Sequence, residues 1–159
     1  MKKVKCKKDD YYETPPELLA ELKEEFDFDL DAAATDDNTV ADSWFTERVN
    51  ALTMDWTAHG DTIFCNPPYS KEGQKDEFIR KASEAAKRGS TVVMVIPAKV
   101  NTHAFHEYIW NKEKHCPRDG VQIRFLEGRP VFYRKGKRAK GSGRNEIMIV
   151  VFKPTARRR

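Results

Sequence analysis

The chain has 159 residues, the usual size of one domain and enough to bury a single hydrophobic core. It has no apolar run of about eighteen residues, and its basic start lacks the apolar segment of a secretory signal, so we expect a cytoplasmic protein that makes no membrane contact. Its three cysteines are widely spaced, which favours free thiols over a disulfide framework.

The net charge of +4 conceals an uneven distribution along the chain. Residues 1–8 carry five lysines and no acid, residues 9–55 carry fifteen acids against two bases, and residues 134–159 carry ten bases against one acid. Basic segments suit a polyanion, because Lys and Arg displace counterions from phosphates, whereas an acidic region tolerates a cationic small molecule. The expected organisation is a basic arm, one domain and a basic tail, at residues 1–9, 10–153 and 154–159.

The first predicted elements are a helix and a short strand. Thr14 has the character of a helix N-cap with Pro15 just inside, and the apolar residues that follow recur at helical spacing over roughly three turns. Residues 26–31 then alternate apolar and acidic side chains, which predicts a short strand with Asp31 at its carboxyl end. Three alanines follow it directly.

Three later apolar runs predict buried strands, because each is short and ends at a breaker. They lie at residues 62–65, 91–96 and 121–126. A helical pattern at residues 76–88 joins the first two into a β-α-β unit, and a second pattern predicts a helix at residues 104–110.

The last predicted elements form an antiparallel hairpin between residues 130–133 and 146–152, around a Gly- and Lys/Arg-rich connection. Strands joined through helices predict a mostly parallel twisted sheet with helices on both faces, to which the C-terminal hairpin adds an antiparallel edge. In such an α/β fold, ligands bind at the carboxyl ends of the strands. The functional site is therefore expected at that edge.

An Asn-Pro-Pro-Tyr tetrapeptide directly follows the first of these apolar runs. The tetrapeptide suits methyl transfer to an amine that is conjugated with a planar ring. The lone pair of such an amine is delocalised into the ring and must be localised on the nitrogen before the nitrogen can attack. The Asn66 side-chain carbonyl and the Pro67 main-chain carbonyl can accept from the two N–H groups, since Pro68 keeps the preceding backbone extended. Tyr69 can stack on the substrate and hold the nitrogen in line with an electrophilic methyl group. A plain turn, the alternative, explains neither the strand before nor the aromatic after.

Six separated motifs occur along the chain. They are Tyr12-Glu13-Thr14-Pro15, Asp29-Leu30-Asp31-Ala32-Ala33-Ala34 followed by Asn38, Phe45-Thr46, Asp55-Trp56, Asn66-Pro67-Pro68-Tyr69-Ser70 and Gly128-Arg129-Pro130-Val131-Phe132. On these motifs the sequence resembles the phage and prophage DNA N6-adenine methyltransferases over nearly its whole length. The resemblance implies a Rossmann-like class I methyltransferase domain that uses S-adenosylmethionine and acts on an adenine flipped out of double-stranded DNA. Flipping is necessary in a duplex, because the amine is otherwise engaged in pairing within the stack.

The strand that ends at Asp31 is predicted to lead into the cofactor site. Asp31 or Asp29 can bind the methionine amino group or favour the sulfonium, and the resemblance favours Asp31. Many methyltransferases have a Gly-rich loop at this place, whereas this chain has small alanines such as Ala32, which still let a cofactor approach the backbone. A solvated acidic turn is the alternative.

The resemblance also assigns cofactor contacts outside this strand. It implies that Tyr12 and Thr14 approach the methionine end and that Asp55 binds the adenine amino group of the cofactor, while a helix cap and a surface loop are the alternatives. By analogy with the acid at the end of a second strand, Glu47 would accept from the ribose hydroxyls. The full predicted set is Tyr12, Thr14, Asp29, Asp31, Ala32, Glu47 and Asp55.

The Gly- and Lys/Arg-rich connection near the end of the chain is the predicted DNA contact. Six bases on a flexible connection can follow phosphates, and single side chains can enter a groove. A solvated hairpin tip is the alternative. The residues predicted to contact DNA, including three bases elsewhere on the same side of the crevice, are Lys71, Lys99, Arg129, Arg134, Lys135, Lys137, Arg138, Lys140 and Arg144.

Other functions remain open on sequence grounds. An Asn-Pro-Pro-Tyr site can present any planar amide or amine, so an RNA base or a protein glutamine is an alternative substrate, and a silent DNA-binding module that keeps the fold is a third possibility. His103, His106, His115 and Cys116 lack paired zinc spacing, so no metal is expected. No feature of the sequence indicates an oligomeric state.

Overall fold

The computed structural model describes residues 12–69, 73–139 and 145–155. Two α-helices occur in them, α1 (Pro16–Glu25) and α2 (Gln74–Lys87). The strands are β1 (Leu30–Asp31), β2 (Ser43–Trp44), β3 (Thr62–Cys65), β4 (Thr91–Pro97), β5 (Trp110–Asn111), β6 (Cys116–Pro117), β7 (Val121–Phe125), β8 (Tyr133–Arg134), β9 (Lys137–Arg138) and β10 (Ile147–Phe152). The predicted arm at residues 1–9 and the end of the predicted tail lie outside the described residues.

Six strands form a central sheet in the order β2-β1-β3-β4-β10-β7. The pairs β2–β1, β1–β3 and β3–β4 are parallel, and β10 is antiparallel to both of its neighbours. In the register, Asp31 pairs with Phe64 and Cys65 pairs with Met94, so the carboxyl ends of β1, β3 and β4 meet at one side of the sheet. We call that side the carboxyl edge and the opposite side the amino edge.

The two helices cover opposite faces of this sheet, which confirms the predicted mixed α/β class. On one face, α2 buries Phe78, Ile79 and three alanines against Val92, Met94 and Ile96. On the other face, α1 packs with Val93 and Val95. Because β4 contacts apolar layers on both sides, its sequence is continuously apolar rather than alternating. Gly89, in the left-handed region at φ 111°, follows the end of α2.

The predicted C-terminal hairpin is wrong. Residues 147–152 are buried on both faces, and β10 lies between β4 and β7, with hydrogen-bonded pairing to each. A strand without an exposed face or edge needs two neighbours, which a hairpin with residues 130–133 would not supply. The small hairpin that does form joins β8 to β9.

Three local predictions also differ from the structure. The helix expected at residues 104–110 is present over residues 103–109, with a π-helical turn at Phe105–Ile109, and it ends one residue early because Trp110 pairs in β5. The strand at β7 is only partly buried, since it forms the outer edge of the sheet. Thr14 is not the N-cap: Pro15 takes that position and makes no side-chain cap. No described helix is long and apolar enough to cross a membrane.

Candidate active site

A cavity of about 210 Å³ opens at the carboxyl edge between the start of α1, the end of β1 and the start of the tetrapeptide. Its walls bring together residues far apart in sequence, including Tyr12, Thr14, Asp31 and Asn66. Three acids line it, against one base. The charged lining residues are Glu13, Asp31, Asp37 and Lys23. We call it the acidic cavity.

Asp31 is the buried charge of the acidic cavity, with 2% of its surface exposed. Burial raises the pKa of this carboxyl to about 6, against the opposing effect of two backbone N–H groups. Those groups belong to Val40, at 3.1 Å from Oδ2, and Ala33, at 3.2 Å from Oδ1. The buried carboxylate would be stabilised by a cationic group in the cavity.

A second, narrower cavity lies on the other side of the alanines that follow β1. Ala33 lines both cavities, and Ala32 and Glu47 line the second. Phe45, Pro68 and Phe78 contribute its apolar walls. The two cavities thus flank one short stretch of backbone, where the small side chains leave room for close approach. We call the second cavity the apolar cavity, after the apolar walls that Phe45, Pro68 and Phe78 form.

Asn66 has a side-chain amide whose orientation is fixed by its neighbours. Its Nδ2 lies 3.1 Å from the main-chain oxygen of Tyr12 and 3.1 Å from Oγ1 of Thr14. A main-chain carbonyl can only accept, so Nδ2 must be the atom that faces it. The Oδ1 atom consequently points the other way.

Tyr69 directs its hydroxyl inward, 2.9 Å from Oδ1 of Asn66 and 2.9 Å from the main-chain oxygen of Val95. Burial raises its pKa above the ordinary value, so the hydroxyl is neutral and acts as a donor. One hydroxyl carries one hydrogen and donates to one of these oxygens at a time. The partly exposed ring packs edge-on against Phe132, with centroids 6.1 Å apart.

The two prolines between these residues are buried. Within the described part of the chain, no donor bonds to the main-chain oxygen of Pro67. Pro68 packs toward the apolar cavity. The tetrapeptide therefore connects the two cavities, with Asn66 at one and Pro68 at the other.

The β8–β9 hairpin is attached to the segment that orients Asn66. Glu13 donates its N–H to the Tyr133 oxygen at 2.6 Å and accepts from the Tyr133 N–H at 3.0 Å. The guanidinium of Arg134 lies 5.2 Å from the ring centroid of Tyr12, a cation–π contact. The basic hairpin therefore adjoins the segment from Tyr12 to Thr14, which in turn contacts Asn66.

The other predicted DNA contacts that the structure describes also lie at the carboxyl edge. Lys99 follows β4, and Arg129 pairs with Glu146, just before β10, at 3.0 Å. Lys135, Lys137 and Arg138 belong to the exposed part of the β8–β9 hairpin. The predicted contacts Lys71, Lys140 and Arg144 lie outside the described residues.

Two predicted cofactor residues are not brought to this site. Asp29 precedes β1 and accepts from the N–H groups of Asp61 and Thr62, at 3.0 and 3.1 Å, at the amino edge. Asp55 pairs at 3.0 Å with Arg88, where α2 ends at the same edge. Neither Asp29 nor Asp55 lines the acidic cavity or the apolar cavity, so both lie apart from the other predicted cofactor residues.

Sequence reasoning missed several residues of the site. Asn38 and Phe132 were parts of motifs but had no assigned role. In the structure, Asn38 Oδ1 accepts from Thr35 N–H at 2.7 Å, which shapes the loop over Asp31, and Phe132 packs between Tyr12 and Tyr69. Their occurrence inside the motifs was the signal that could have found them.

The histidines do not form a cluster. His103 pairs with Glu107 at 2.7 Å, and His106 Nε2 contacts the Val100 oxygen at 2.8 Å. Among residues 12–69, 73–139 and 145–155, no group of three potential ligands converges as a metal site would require.

The comparisons with known proteins identify the family of the chain. The profile of the family described as DNA N-6-adenine-methyltransferase (Dam) matches residues 2–159, and the chain belongs to that family.

Two curated relatives carry the same description. The chain is similar to the DNA N-6-adenine-methyltransferase of Escherichia phage T1, with 33% identity over 62% of this chain and 40% of that protein. It is also similar to the DNA N-6-adenine-methyltransferase of Haemophilus phage HP1 (strain HP1c1), with 28% identity over 81% of this chain and 69% of that protein. The chain thus spans less than half of the phage T1 relative.

Proposed function

We propose that the protein transfers a methyl group from S-adenosylmethionine to the N6 amine of a flipped-out adenine in DNA. The observation that carries the proposal is the fixed amide of Asn66, a residue that lines the acidic cavity and whose Oδ1 is directed away from Tyr12 and Thr14, toward Tyr69. Family membership supports the same activity.

The strand order supports a Rossmann-like class I methyltransferase domain for this chain. Parallel strands place their ligand sites at the carboxyl edge, and the antiparallel β10 lies beyond them, between β4 and β7. The acidic cavity and the apolar cavity both open at that edge.

The residues of the two cavities fit S-adenosylmethionine in their chemistry. The buried carboxylate of Asp31 would hold the cationic methionine end in the acidic cavity, whose wall includes Tyr12 and Thr14. Glu47 with Ala32 would hold the adenosine in the apolar cavity. When bound there, the cofactor supplies an electrophilic methyl group on a sulfonium. Because both cavities border the tetrapeptide, these residues would hold it next to Asn66.

Asn66 and Pro67 would act on the adenine amine itself. One amine hydrogen is donated to Asn66 Oδ1 and the other to the Pro67 oxygen, which favours a pyramidal nitrogen with its lone pair localised. Neither oxygen is a strong base. The nitrogen therefore attacks first and releases a proton to water once it has become cationic.

Tyr69 would serve the substrate in two ways. Its ring offers a face for stacking on the flipped base, worth about 1–3 kcal/mol per base in nucleic-acid complexes. Its hydroxyl can turn its hydrogen to the Val95 oxygen, 2.9 Å away, when the amine occupies Asn66 Oδ1. The Tyr69 hydroxyl then still donates a hydrogen bond, to the Val95 oxygen, while Asn66 Oδ1 accepts from the substrate amine.

The charge distribution supports a nucleic-acid substrate, and family membership favours DNA over RNA. The basic hairpin adjoins the orienting segment through Glu13 and Tyr12, so phosphates bound by the hairpin would lie close to Asn66. Duplex DNA bound this way would have to flip its adenine to reach the site.

The test supplies radiolabelled S-adenosylmethionine with duplex DNA, RNA and protein in parallel, followed by digestion of the products. We expect label in N6-methyladenine from DNA. Label confined to an RNA base or to glutamine would assign the site to the alternative substrates, and absence of label from all three would contradict an enzyme.

A further inference from the structure

The hydroxyl of Thr14, which the sequence predicts to cap a helix or to contact the cofactor, lies beside the Asn66 amide. Thr14 Oγ1 lies 3.1 Å from Asn66 Nδ2, and the Thr14 residue is 7% exposed. A helix cap would employ this hydroxyl on the backbone of α1. The structure has Pro15 as the cap residue instead, without a side-chain cap, so the hydroxyl faces Asn66.

The main-chain oxygen of Tyr12 determines which way the Asn66 amide faces, and Thr14 Oγ1 holds the amide in that orientation through a second hydrogen bond. Nδ2 has two hydrogens, and the Tyr12 oxygen and Thr14 Oγ1 accept one each. In the reverse orientation, Oδ1 would stand against the Tyr12 oxygen, two acceptors would face each other and that hydrogen bond could not form. Only the observed orientation leaves Oδ1 available toward Tyr69 and the site.

The segment that carries both acceptors is held firmly in place. Glu13, between them in sequence, exchanges two backbone hydrogen bonds with Tyr133, and its carboxylate lies 3.4 Å from the Gly136 N–H. Tyr12 packs against Phe132, with ring centroids 6.3 Å apart. A residue can orient a neighbouring side chain through a hydrogen bond only if its own position is fixed, and these contacts fix the segment.

We propose that Thr14 is a positioning residue that acts through its hydroxyl on Asn66, and that it governs the rate of methyl transfer rather than cofactor affinity. This inference rests on the proposed function. It separates Thr14 from the other residues of the acidic cavity, since removal of a cofactor-binding group would raise KM for S-adenosylmethionine, whereas misorientation of Asn66 would lower kcat.

The matched variants are Thr14→Val, which keeps the shape and removes the hydroxyl, and Thr14→Ser, which keeps the hydroxyl. We expect Thr14→Val to lower kcat by about tenfold or more, the effect of one hydrogen bond that orients the reacting group. The KM for S-adenosylmethionine should change by less than about threefold. Thr14→Ser should retain near-normal kcat. Thr14→Ala makes the same comparison if circular dichroism finds Thr14→Val unfolded.

A second readout does not depend on catalysis. The Asn66 side-chain amide gives a ¹⁵N-correlated proton pair, assigned by its disappearance in Asn66→Ala. Thr14→Val should shift one proton of that pair and accelerate its exchange, and Thr14→Ser should leave it in place.

The outcomes separate this inference from the proposed function. A raised KM for S-adenosylmethionine with unchanged kcat, or an unchanged amide signal in Thr14→Val, would overturn the positioning role. If the wild-type protein labels RNA or protein instead of DNA, the proposed function fails, and the same kcat comparison on the labelled substrate still decides the role of Thr14.

Discussion

Asp29 and Asp31 stand at opposite ends of β1 and have opposite roles. Asp29 is exposed at the amino edge, where it accepts from the N–H groups of Asp61 and Thr62 and joins two loops. Asp31 is buried at the carboxyl edge, where it faces the acidic cavity with a pKa raised to about 6. The surroundings of an acid therefore depend on which end of a parallel strand it flanks.

The same contrast holds for the rest of the two edges. At the amino edge, polar groups bond to each other across loops: Asp55 pairs with Arg88, and the Ser90 hydroxyl donates to the Gly60 oxygen at 2.9 Å. At the carboxyl edge, polar side chains such as Asp31 and Asn66 line the acidic cavity together. Substitutions at the carboxyl edge should therefore change function, and those at the amino edge should change stability alone.

The largest expected effect is at Asn66. Asn66→Ala removes one of the two proposed acceptors of the substrate amine, so kcat for methyl transfer should fall by roughly 100- to 1000-fold, as for removal of one preorganised polar group at a reacting centre. Titration calorimetry should find S-adenosylmethionine affinity within about threefold of wild type. The matched control is Asn111→Ala, at the end of β5 and outside both cavities, which should retain kcat. Near-normal transfer by Asn66→Ala would remove the tetrapeptide from the chemistry.

Asp31 should couple cofactor affinity to pH. Cationic S-adenosylmethionine favours the ionised carboxylate, so affinity should rise by up to about tenfold per pH unit below pH 6 and level off above it. Asp31→Asn should weaken cofactor binding at pH 8 and abolish its pH dependence. Asp29→Asn should keep the wild-type affinity and the wild-type pH dependence. Calorimetry between pH 5 and pH 8 checks this, and an identical profile in Asp31→Asn would contradict the role.

The stability of the cofactor-free protein should respond to Asp31 with the opposite sign. A carboxyl whose pKa is raised on folding holds its proton more tightly in the folded state, so stability falls as pH rises from about 4 to about 6. Above pH 6, the ionised Asp31 lowers the free energy of unfolding by at most about 3 kcal/mol. Asp31→Asn should therefore raise the urea midpoint at pH 8, and a lower midpoint would show that the ionised carboxylate stabilises the fold.

The basic hairpin should affect DNA binding. Replacing Lys135, Lys137 and Arg138 together by Ala should weaken DNA binding by about tenfold near 0.15 M salt and flatten its salt dependence by up to about 0.9 for each phosphate that the protein no longer neutralises. S-adenosylmethionine affinity should not change. The control is Lys112→Ala with Lys114→Ala, between β5 and β6, which should leave the slope intact. An unchanged slope in the hairpin variant would move the DNA contact elsewhere.

The smallest effect is expected at the amino edge. Asp29→Ala removes two hydrogen bonds between exposed loops and should lower the free energy of unfolding by about 1 kcal/mol. Chemical denaturation measures this decrease, and kcat and cofactor affinity should stay at wild-type values. A selective weakening of S-adenosylmethionine binding would return Asp29 to the cofactor site and break the contrast between the edges.

The sequence predicted best the parts of the molecule that depend on local pattern. Continuous apolar runs placed β3 and β4, and helical spacing placed α2. The tetrapeptide was expected at the end of β3, and the register sets it there. Each of these elements is determined by its own residues: β3 and β4 by their continuous apolar runs, and α2 by the apolar face that it packs on the sheet.

The parts that failed depend on partners distant in sequence. Apolarity predicts that residues 147–152 form a buried strand, but it does not specify which strands lie beside β10, because those neighbours are distant in sequence. Likewise, the Thr14 hydroxyl suits a helix N-terminus locally, and its contact with Asn66 spans 52 positions. Asp55 stands next to Trp56 in a motif, yet its position relative to the cavities depends on the course of the whole chain.

The insertion of β10 between β4 and β7 has a consequence for how the chain folds. Its pairing with β4 joins residues about fifty positions apart, so loop-closure entropy must be overcome before this pairing contributes, which favours slow acquisition of the complete sheet. During synthesis, the side of β4 that later accepts β10 is open until residues 147–152 emerge from the ribosome. That apolar, unpaired side is where we expect nascent chains to associate with one another or with a chaperone.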